Sequence, residues 1–236
     1  MNRTIAYITD THLDEDDAFE KGINPRHHWK KILEDIDARG IEEVIFGGDI
    51  GEPSAYRWFF DSLQKYRFNI VLGNHDRYDH VKPFYQSGNS ENELYFSDED
   101  EHLKYLFLDS SKNELSAEQF QWLGEQLKTP KQLVMFIHHP ILGVDTAVDT
   151  KYPLQGRAEL RKLLEDNGAP VTIFTGHYHL QDEQTIGNIT QFITPAASFQ
   201  ILRAPKIEID NSSFGYRIIT LTEGGVISEV IEFKTP

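Results

Sequence analysis

The chain reads as an α/β protein made of two facing sheets, mixed in strand direction, with helices outside both. Three observations lead there. Short apolar runs rich in β-branched and aromatic residues recur along the chain, each ended by glycine or a polar residue, which is the pattern of buried strands. Helical patterns with recognisable caps alternate with them through the first three quarters of the chain. From Ile189 onward the pattern is β alone.

In order, Ile5-Ala6-Tyr7-Ile8 is the first strand, Pro25 to Arg39 a helix, Val44-Ile45-Phe46 a strand, Pro53 to Lys65 a helix and Ile70-Val71-Leu72 a strand. Ser116-Ala117-Glu118-Gln119 is a capping-box pattern ahead of Phe120, Leu123 and Leu127, so a helix is expected over Ser116 to Leu127. Leu133-Val134-Met135-Phe136-Ile137 is the most apolar strand. A helix over Gly156 to Asn167 carries Leu160, Leu163 and Leu164 and stops at Asn167-Gly168, ahead of the strand Val171-Thr172-Ile173-Phe174. In the C-terminal β region, 186–234, Phe214 to Leu221 and Val226 to Phe233 read as a hairpin joined by Thr222-Glu223-Gly224-Gly225. The polar or mixed segments Asp14 to Asn24, Asp79 to Asn92 and Gly143 to Pro153 are expected to overhang a cleft and to carry substrate choice.

With 236 residues and 39% apolar content the chain can bury one substantial core, so a single domain over 1–236 is the simplest organisation. Its 38 acidic residues against 23 Lys plus Arg give a formal charge of -15, which opposes non-specific attraction to long nucleic acid or an anionic membrane. Bound divalent cations would reverse that sign locally and let an acidic protein accept a phosphate. The lack of cysteine removes disulfides, thiolate zinc sites and a cysteine nucleophile, leaving nitrogen and oxygen ligands for any metal. No stretch approaches the ~18 apolar residues of a membrane span, and the chain enters a strand without a signal-peptide core, so a cytoplasmic protein is expected. The C-terminal strands offer an edge for a homodimer, although no sequence feature decides the oligomeric state.

Five polar runs stand directly after apolar strands: Thr9-Asp10-Thr11-His12, Gly47-Gly48-Asp49, Gly73-Asn74-His75-Asp76, Ile137-His138-His139-Pro140 and Gly176-His177-Tyr178-His179. Ligands of open α/β sheets bind beyond the carboxyl ends of the strands, so these exits are expected to converge. Taken alone, Asp10 and His12 also read as a helix cap with a solvent-facing histidine, and the glycine-led runs as turns. If the strand stays extended, Asp10 and His12 point to one side, as do His177 and His179. A carboxylate at Asp49 can bridge two cations with its two oxygens, while Asn74 offers a neutral carbonyl oxygen. His138 and His139 point to opposite sides, so one of them is expected as a ligand. Two cations ~3.5–4 Å apart lower the pKa of a shared water and neutralise charge on phosphoryl oxygens, which makes a two-metal phosphoester hydrolase the reading of the set. His27-His28-Trp29 is read as packing and capping, and Tyr78 and Tyr178, beside ligand runs, as candidate substrate contacts.

As a set the runs resemble the ordered signature of the calcineurin-like metallophosphoesterases, D-x-H, GD, GNH[DE], a histidine before x-P, and GHxH, matched here from Asp10 to His179. The resemblance implies a four-layer α/β/β/α sandwich of two mixed sheets flanked by helices. It implies one transition-metal ion on Asp10, His12, Asp49 and His179 and a second on Asp49, Asn74, His138 and His177, with Mn, Fe or Zn foremost and divalent or mixed-valence pairs both admitted. His75 would donate to a phosphate oxygen or protonate the leaving group, with Asp76 orienting it. The compact chain is most similar to bacterial class III cyclic-nucleotide phosphodiesterases, which implies a small phosphodiester substrate, phosphomonoesters or nucleotides as runner-up and a nuclease behind them. A scaffold of the same fold that has lost catalysis would be expected to show eroded ligands; none of the seven is eroded.

Overall fold

The computed structural model describes residues 3–88, 90–222 and 225–235. The N-terminal part lays down β1 (Arg3–Ile8), α1 (Asp16–Glu20), α2 (Pro25–Ala38), β2 (Glu43–Phe46), α3 (Tyr56–Leu63), β3 (Arg67–Ile70) and α4 (Tyr78–Val81). The middle adds β4 (Phe96–Glu99), β5 (Leu103–Phe107), α5 (Ala117–Gln126), β6 (Gln132–Phe136), α6 (Ala147–Lys151), α7 (Arg157–Asn167) and β7 (Val171–Thr175). The chain ends in β8 (Asp182–Ile186), β9 (Ile189–Ile193), β10 (Gln200–Ile201), β11 (Ile209–Asp210), β12 (Ser213–Thr222) and β13 (Gly225–Lys234).

Two sheets of mixed direction result, as expected. The five-stranded sheet has the order β13-β12-β1-β2-β3, and the six-stranded sheet β4-β5-β6-β7-β9-β8. Within each, the strands that precede the polar runs are parallel, so their carboxyl ends open toward the same end of their sheet. The C-terminal hairpin closes the first sheet, with β12 antiparallel to β1 and Ile219 opposite Ile5. Its turn residues Glu223 and Gly224 lie outside the described residues.

Side-chain alternation sorts the layers. Trp29, Ile32 and Ile36 of α2 and Phe59, Phe60 and Leu63 of α3 bury against the outer face of the first sheet, where Phe46 meets Trp29 and Phe59 edge-on. Leu123 of α5 and Leu160 and Leu164 of α7 cover the outer face of the second, against Leu106, Met135 and Ile173. Between the sheets runs a ladder of phenylalanines in strict register: Phe96, Phe107, Phe136, Phe174 and Phe192 face one another across β4, β5, β6, β7 and β9. Their rings stack with centroids 4.4, 5.1, 5.6 and 5.3 Å apart. Tyr7 from the opposite sheet leans on Phe136 and Phe174 and donates its hydroxyl to the Phe174 carbonyl at 3.3 Å. That contact joins the two sheets near the ends that carry the polar runs.

The helix ends follow local chemistry. Asn24 accepts from the His27 amide with Pro25 at the first position of α2, and Gly168 closes α7 at φ 72°. Ser116 caps α5 through the Gln119 amide, but the reciprocal half of a capping box is absent, because the Gln119 side chain instead holds both backbone groups of Asp109. Strands β4 and β8 do not stand out in the sequence, since Phe-Ser-Asp-Glu and Asp-Glu-Gln-Thr-Ile are mostly polar. They are edge strands, held by backbone pairing to one neighbour each. The segments expected as loops contain the short helices α1, α4 and α6, and β3 ends two residues before its apolar run does. No helix among the described residues is long and apolar enough to cross a membrane.

Phe136 occupies the centre of the ladder and is fully buried. Phe136→Ala is expected to cost about 3–5 kcal/mol through lost transfer energy and the cavity left behind, measured as a shift of the urea midpoint at unchanged m-value.

Candidate metal centre

The backbone leaves the strands by turning left-handed, not by staying extended. Asp10, His12, Asp49, His177 and His179 have φ of 57°, 46°, 60°, 68° and 48°. Five of the seven residues singled out as ligands thus occupy a region that non-glycine residues avoid, at a cost on the order of 1–3 kcal/mol each. This corrects the extended geometry expected for Asp10/His12 and His177/His179: alternate side chains do converge, but by successive left-handed turns. Backbone bonds hold the turns, with Asp10 N donating to Gly48 O at 2.9 Å, Leu13 N to Ile50 O at 2.8 Å and Ala197 N to Thr9 O at 2.9 Å. The motif glycines are required by contact: a Cβ on Gly73 would overlap the Asp49 carboxylate, and one on Gly176 would overlap Thr9 and Asp10.

Two groups of donor atoms result. Asp10, His12 and His179 form one and Asp49, His138 and His177 the other, the atoms of each lying within 4.8 Å of one another. Asp49 joins them, its Oδ2 lying 3.2 Å from His138 Nε2 and 3.7 Å from His12 Nε2. His138 Nε2 also lies 3.8 Å from Asp10 Oδ1, and His179 Nε2 lies 3.3 Å from the same oxygen.

Each histidine of the two groups has one ring nitrogen engaged from outside. His138 Nδ1 donates to the Gly47 carbonyl at 2.7 Å, His179 Nδ1 to the Phe199 carbonyl at 2.9 Å, and His177 Nε2 to the Tyr152 carbonyl at 2.9 Å. His12 Nδ1 is 2.9 Å from Glu15 Oε2. A carbonyl only accepts, so those nitrogens carry the proton and the opposite nitrogen of a neutral ring is a lone pair aimed at the carboxylates. Tautomers here are assigned from these partners. The arrangement fits a pair of cations. His12 Nε2 and His179 Nε2 lie only 3.0 Å apart, an unfavourable meeting of lone pairs unless a positive charge lies beside them. Asn74 Oδ1 is buried with no hydrogen-bond partner, and His138 Nε2, though close to Asp49, is not aligned to bond it.

Charge tells the same story. Burial disfavours ionised Asp10, yet His179 and His138 beside it hold it down at about 2. Burial likewise opposes the protonated His138 ring, but Asp49 and Asp10 push it up to about 9. The two carboxylates demand positive charge between them, which a proton supplies when no metal does. His177, pressed by burial and by His138, falls to about 4 and stays a neutral donor.

The third run differs from expectation. Asp76 does not orient His75: its carboxylate is buried and accepts from the amides of Asp49 at 2.7 Å, Gly73 at 2.9 Å and Ile50 at 2.9 Å. It therefore shapes the loop that carries Asp49. Burial and the Asp49 charge push it above the ordinary carboxylate range. His75 is 45% exposed and points its Nδ1 at Glu15 Oε1, 3.0 Å away. Glu15 belongs to none of the five runs, and only its position three residues after His12 hinted at a contact. His139 belongs to neither donor group: its nitrogens are bonded to Ser110 Oγ at 2.8 Å and Asn113 Oδ1 at 3.1 Å, while its ring packs on His177 with centroids 4.0 Å apart. Thr9, the first residue of the first run, donates to Asp10 Oδ2 at 2.7 Å and so holds the carboxylate it precedes.

Neither tyrosine proposed as a substrate contact is available. Tyr178 is fully buried with its hydroxyl on Asp149, itself ion-paired to Arg157, and Tyr78 is buried at the start of α4. His28 is buried and stacked on Phe214, with Nδ1 on the Ser198 carbonyl, which agrees with a packing role.

Asp76→Ala would strand three buried amides. It is expected to destabilise the protein by several kcal/mol, from about 1–3 kcal/mol for each unsatisfied donor, whereas His75→Ala is expected to leave the thermal midpoint almost unchanged. Differential scanning calorimetry of the two variants distinguishes this from an Asp76 that merely orients His75, for which the two midpoints would match.

Comparison with known proteins places the geometry. Over 244 aligned residues the chain is 23% identical to a probable cyclic nucleotide phosphodiesterase of Fibrobacter succinogenes, covering 98% of this chain and 94% of that protein. It is 26% identical to a cAMP/cGMP dual specificity phosphodiesterase of Mycobacterium tuberculosis, over 83% of this chain and 67% of that one. A glycerophosphodiester phosphodiesterase of Enterobacter lignolyticus is 29% identical over 74% of this chain and 70% of its own. Among solved structures, a dimetal phosphatase from Danio rerio shares the fold with a TM-score of 0.63 at 12% identity, covering 99% of both chains. Residues 3–181 match the sequence model of the calcineurin-like phosphoesterases, and the chain belongs to that family.

Proposed function

We propose that this protein hydrolyses small phosphodiesters, cyclic nucleotides foremost, at a two-metal centre made by the residues described above. One ion would be held by Asp10, His12, Asp49 and His179 and the other by Asp49, Asn74, His138 and His177, with Asp49 shared. The observation that carries this reading is the pair of donor groups joined at Asp49, with inward lone pairs and an unpartnered Asn74 oxygen. When bound, such a pair supplies Lewis acidity and activates a water for attack at phosphorus.

The chain's own residues do the rest. Asp10 and Asp49 stay ionised at neutral pH, so their charge is present throughout the cycle. His75, exposed at the mouth with Nδ1 engaged, keeps Nε2 for a phosphoryl oxygen or for the proton that the departing alkoxide needs. Overall one water is consumed, one P–O bond breaks, and the diester yields a monoester and an alcohol. No side chain forms a covalent intermediate in this scheme. The diester preference is supported by the names of the relatives, and the formal charge of -15 speaks against long nucleic acid. The nitrogen and oxygen donors suit Mn, Fe or Zn.

The test is a turnover screen of metal-stripped protein reconstituted with single metals, run on cyclic nucleotides, glycerophosphodiesters, bis-aryl and mono-aryl phosphates. Diesters are expected to exceed monoesters, and the reverse order would overturn the substrate assignment. Asp49→Asn is expected to lose the most metal, because it weakens both sites, as read by elemental analysis. His75→Ala should keep both metals while kcat falls by roughly 10²-fold or more; full activity at saturating metal would remove His75 from the mechanism.

A further inference from the structure

We propose that Glu15 is a positioning residue of this centre, acting on His75 and on His12 at once; the inference rests on the two-metal reading above. Its carboxylate lies between two imidazoles. Oε2 is 2.9 Å from His12 Nδ1 and Oε1 is 3.0 Å from His75 Nδ1, and the side chain is only 15% exposed. The rings of His12 and His75 meet edge to face with centroids 4.7 Å apart. One acid therefore sets the orientation of a metal-facing imidazole and of the imidazole that faces the substrate.

The backbone around Glu15 is built to hold it there. Asp14, directly before it, pairs through both oxygens with Arg26 at 2.7 and 2.5 Å. Glu15 precedes α1 in extended conformation, and its carbonyl accepts from the amide of buried Ala18 at 3.1 Å. Chemistry assigns the consequence. An anionic oxygen only accepts, so Glu15 draws the proton of each ring to Nδ1 and leaves Nε2 of His12 for the metal and Nε2 of His75 for the substrate. Of the other carboxylates near the centre, Asp76 is spent on three amides and Asp49 accepts from the His75 backbone amide, which leaves Glu15 as the acid bonded to the His75 ring. His12, Glu15 and His75 also have donor atoms close enough to hold an ion of their own, but each contact is already of hydrogen-bond length.

The test compares Glu15→Gln, Glu15→Asp, His75→Ala and the Glu15→Gln/His75→Ala double variant with the parent protein, all loaded with zinc. Nitrogen-15 shifts of the histidine rings report the tautomer independently of turnover. In Glu15→Gln the amide has one acceptor for two rings, so the Nδ1-protonated form of His75 is expected to be lost in part; Glu15→Asp, too short to span both, should retain one contact. For a diester with an alkoxide leaving group, kcat should fall about 10–100-fold in Glu15→Gln with KM little changed. For a p-nitrophenyl diester, whose leaving group needs no proton, the loss should be much smaller. The double variant should lose less than the product of the two single losses, since part of the effect of Glu15 passes through His75. Unchanged His75 shifts in Glu15→Gln, or additive losses in the double variant, would overturn the proposal. So would a third equivalent of zinc in the parent that vanishes in Glu15→Gln. Absence of any hydrolysis in the parent would sink the two-metal reading, while the ring shifts would still decide whether Glu15 orients His75.

Discussion

Asp10 and Asp49 are carboxylates taken out of water at the ends of two parallel strands, and burying such charge is tolerable only where opposite charge comes with it. His138 sits within reach of both, 3.8 Å from one and 3.2 Å from the other, and their field raises its affinity for a proton. The rest of the centre answers the same demand. Four imidazoles converge with lone pairs inward, and the Asn74 carbonyl oxygen has nothing to bond. A site of this composition attracts cations by construction, and a cation so held is what a phosphoryl group needs to approach an acidic protein.

That charge constraint propagates outward through hydrogen bonds. Three backbone carbonyls, at Gly47, Tyr152 and Phe199, and one carboxylate, Glu15, set the ring faces of the four inward histidines. These outer partners come from different layers: the exit of β2, the end of α6, the loop before β10 and the start of α1. Asp76 and Thr9 do the corresponding work for the carboxylates, one by binding the amides around Asp49 and the other by bonding Asp10 directly. Five of the candidate ligands, Asp10, His12, Asp49, His177 and His179, turn left-handed to satisfy these contacts, and that backbone strain is sustained by the packed sheets beneath them. The phenylalanine ladder and Tyr7 supply the rigidity, because they lock the two sheets together directly below the turns.

The match between sequence and structure is closest where a single local rule operates. The cap at Ser116, the stop at Gly168, the apolar strands and the alternation that sends His138 and His139 to different partners are short-range matters, and each came out as the pattern implied. Misreadings cluster where a residue's role depends on a distant neighbour. Asp76 sits beside His75 in the chain, but the low dielectric of its buried position favours three amide donors over an exposed ring. Tyr178 follows a ligand and lies beside the centre in sequence, yet its hydroxyl is claimed by Asp149, 29 positions earlier. The polar edge strands β4 and β8 lack an apolar face to announce them, since one partner strand suffices to form them.

By itself the sequence determined the fold class and the family and named the candidate donors, because strand period, glycine placement and the order of the polar runs are local properties that survive without coordinates. Only the tertiary structure decided which nitrogen of each histidine is offered inward, why Asn74 Oδ1 is left unpaired, and that Glu15 bonds His75. Those outcomes depend on hydrogen-bond partners supplied by segments as far as 91 residues away, as between His138 and Gly47, and side-chain protonation follows the partner and not the neighbouring letter.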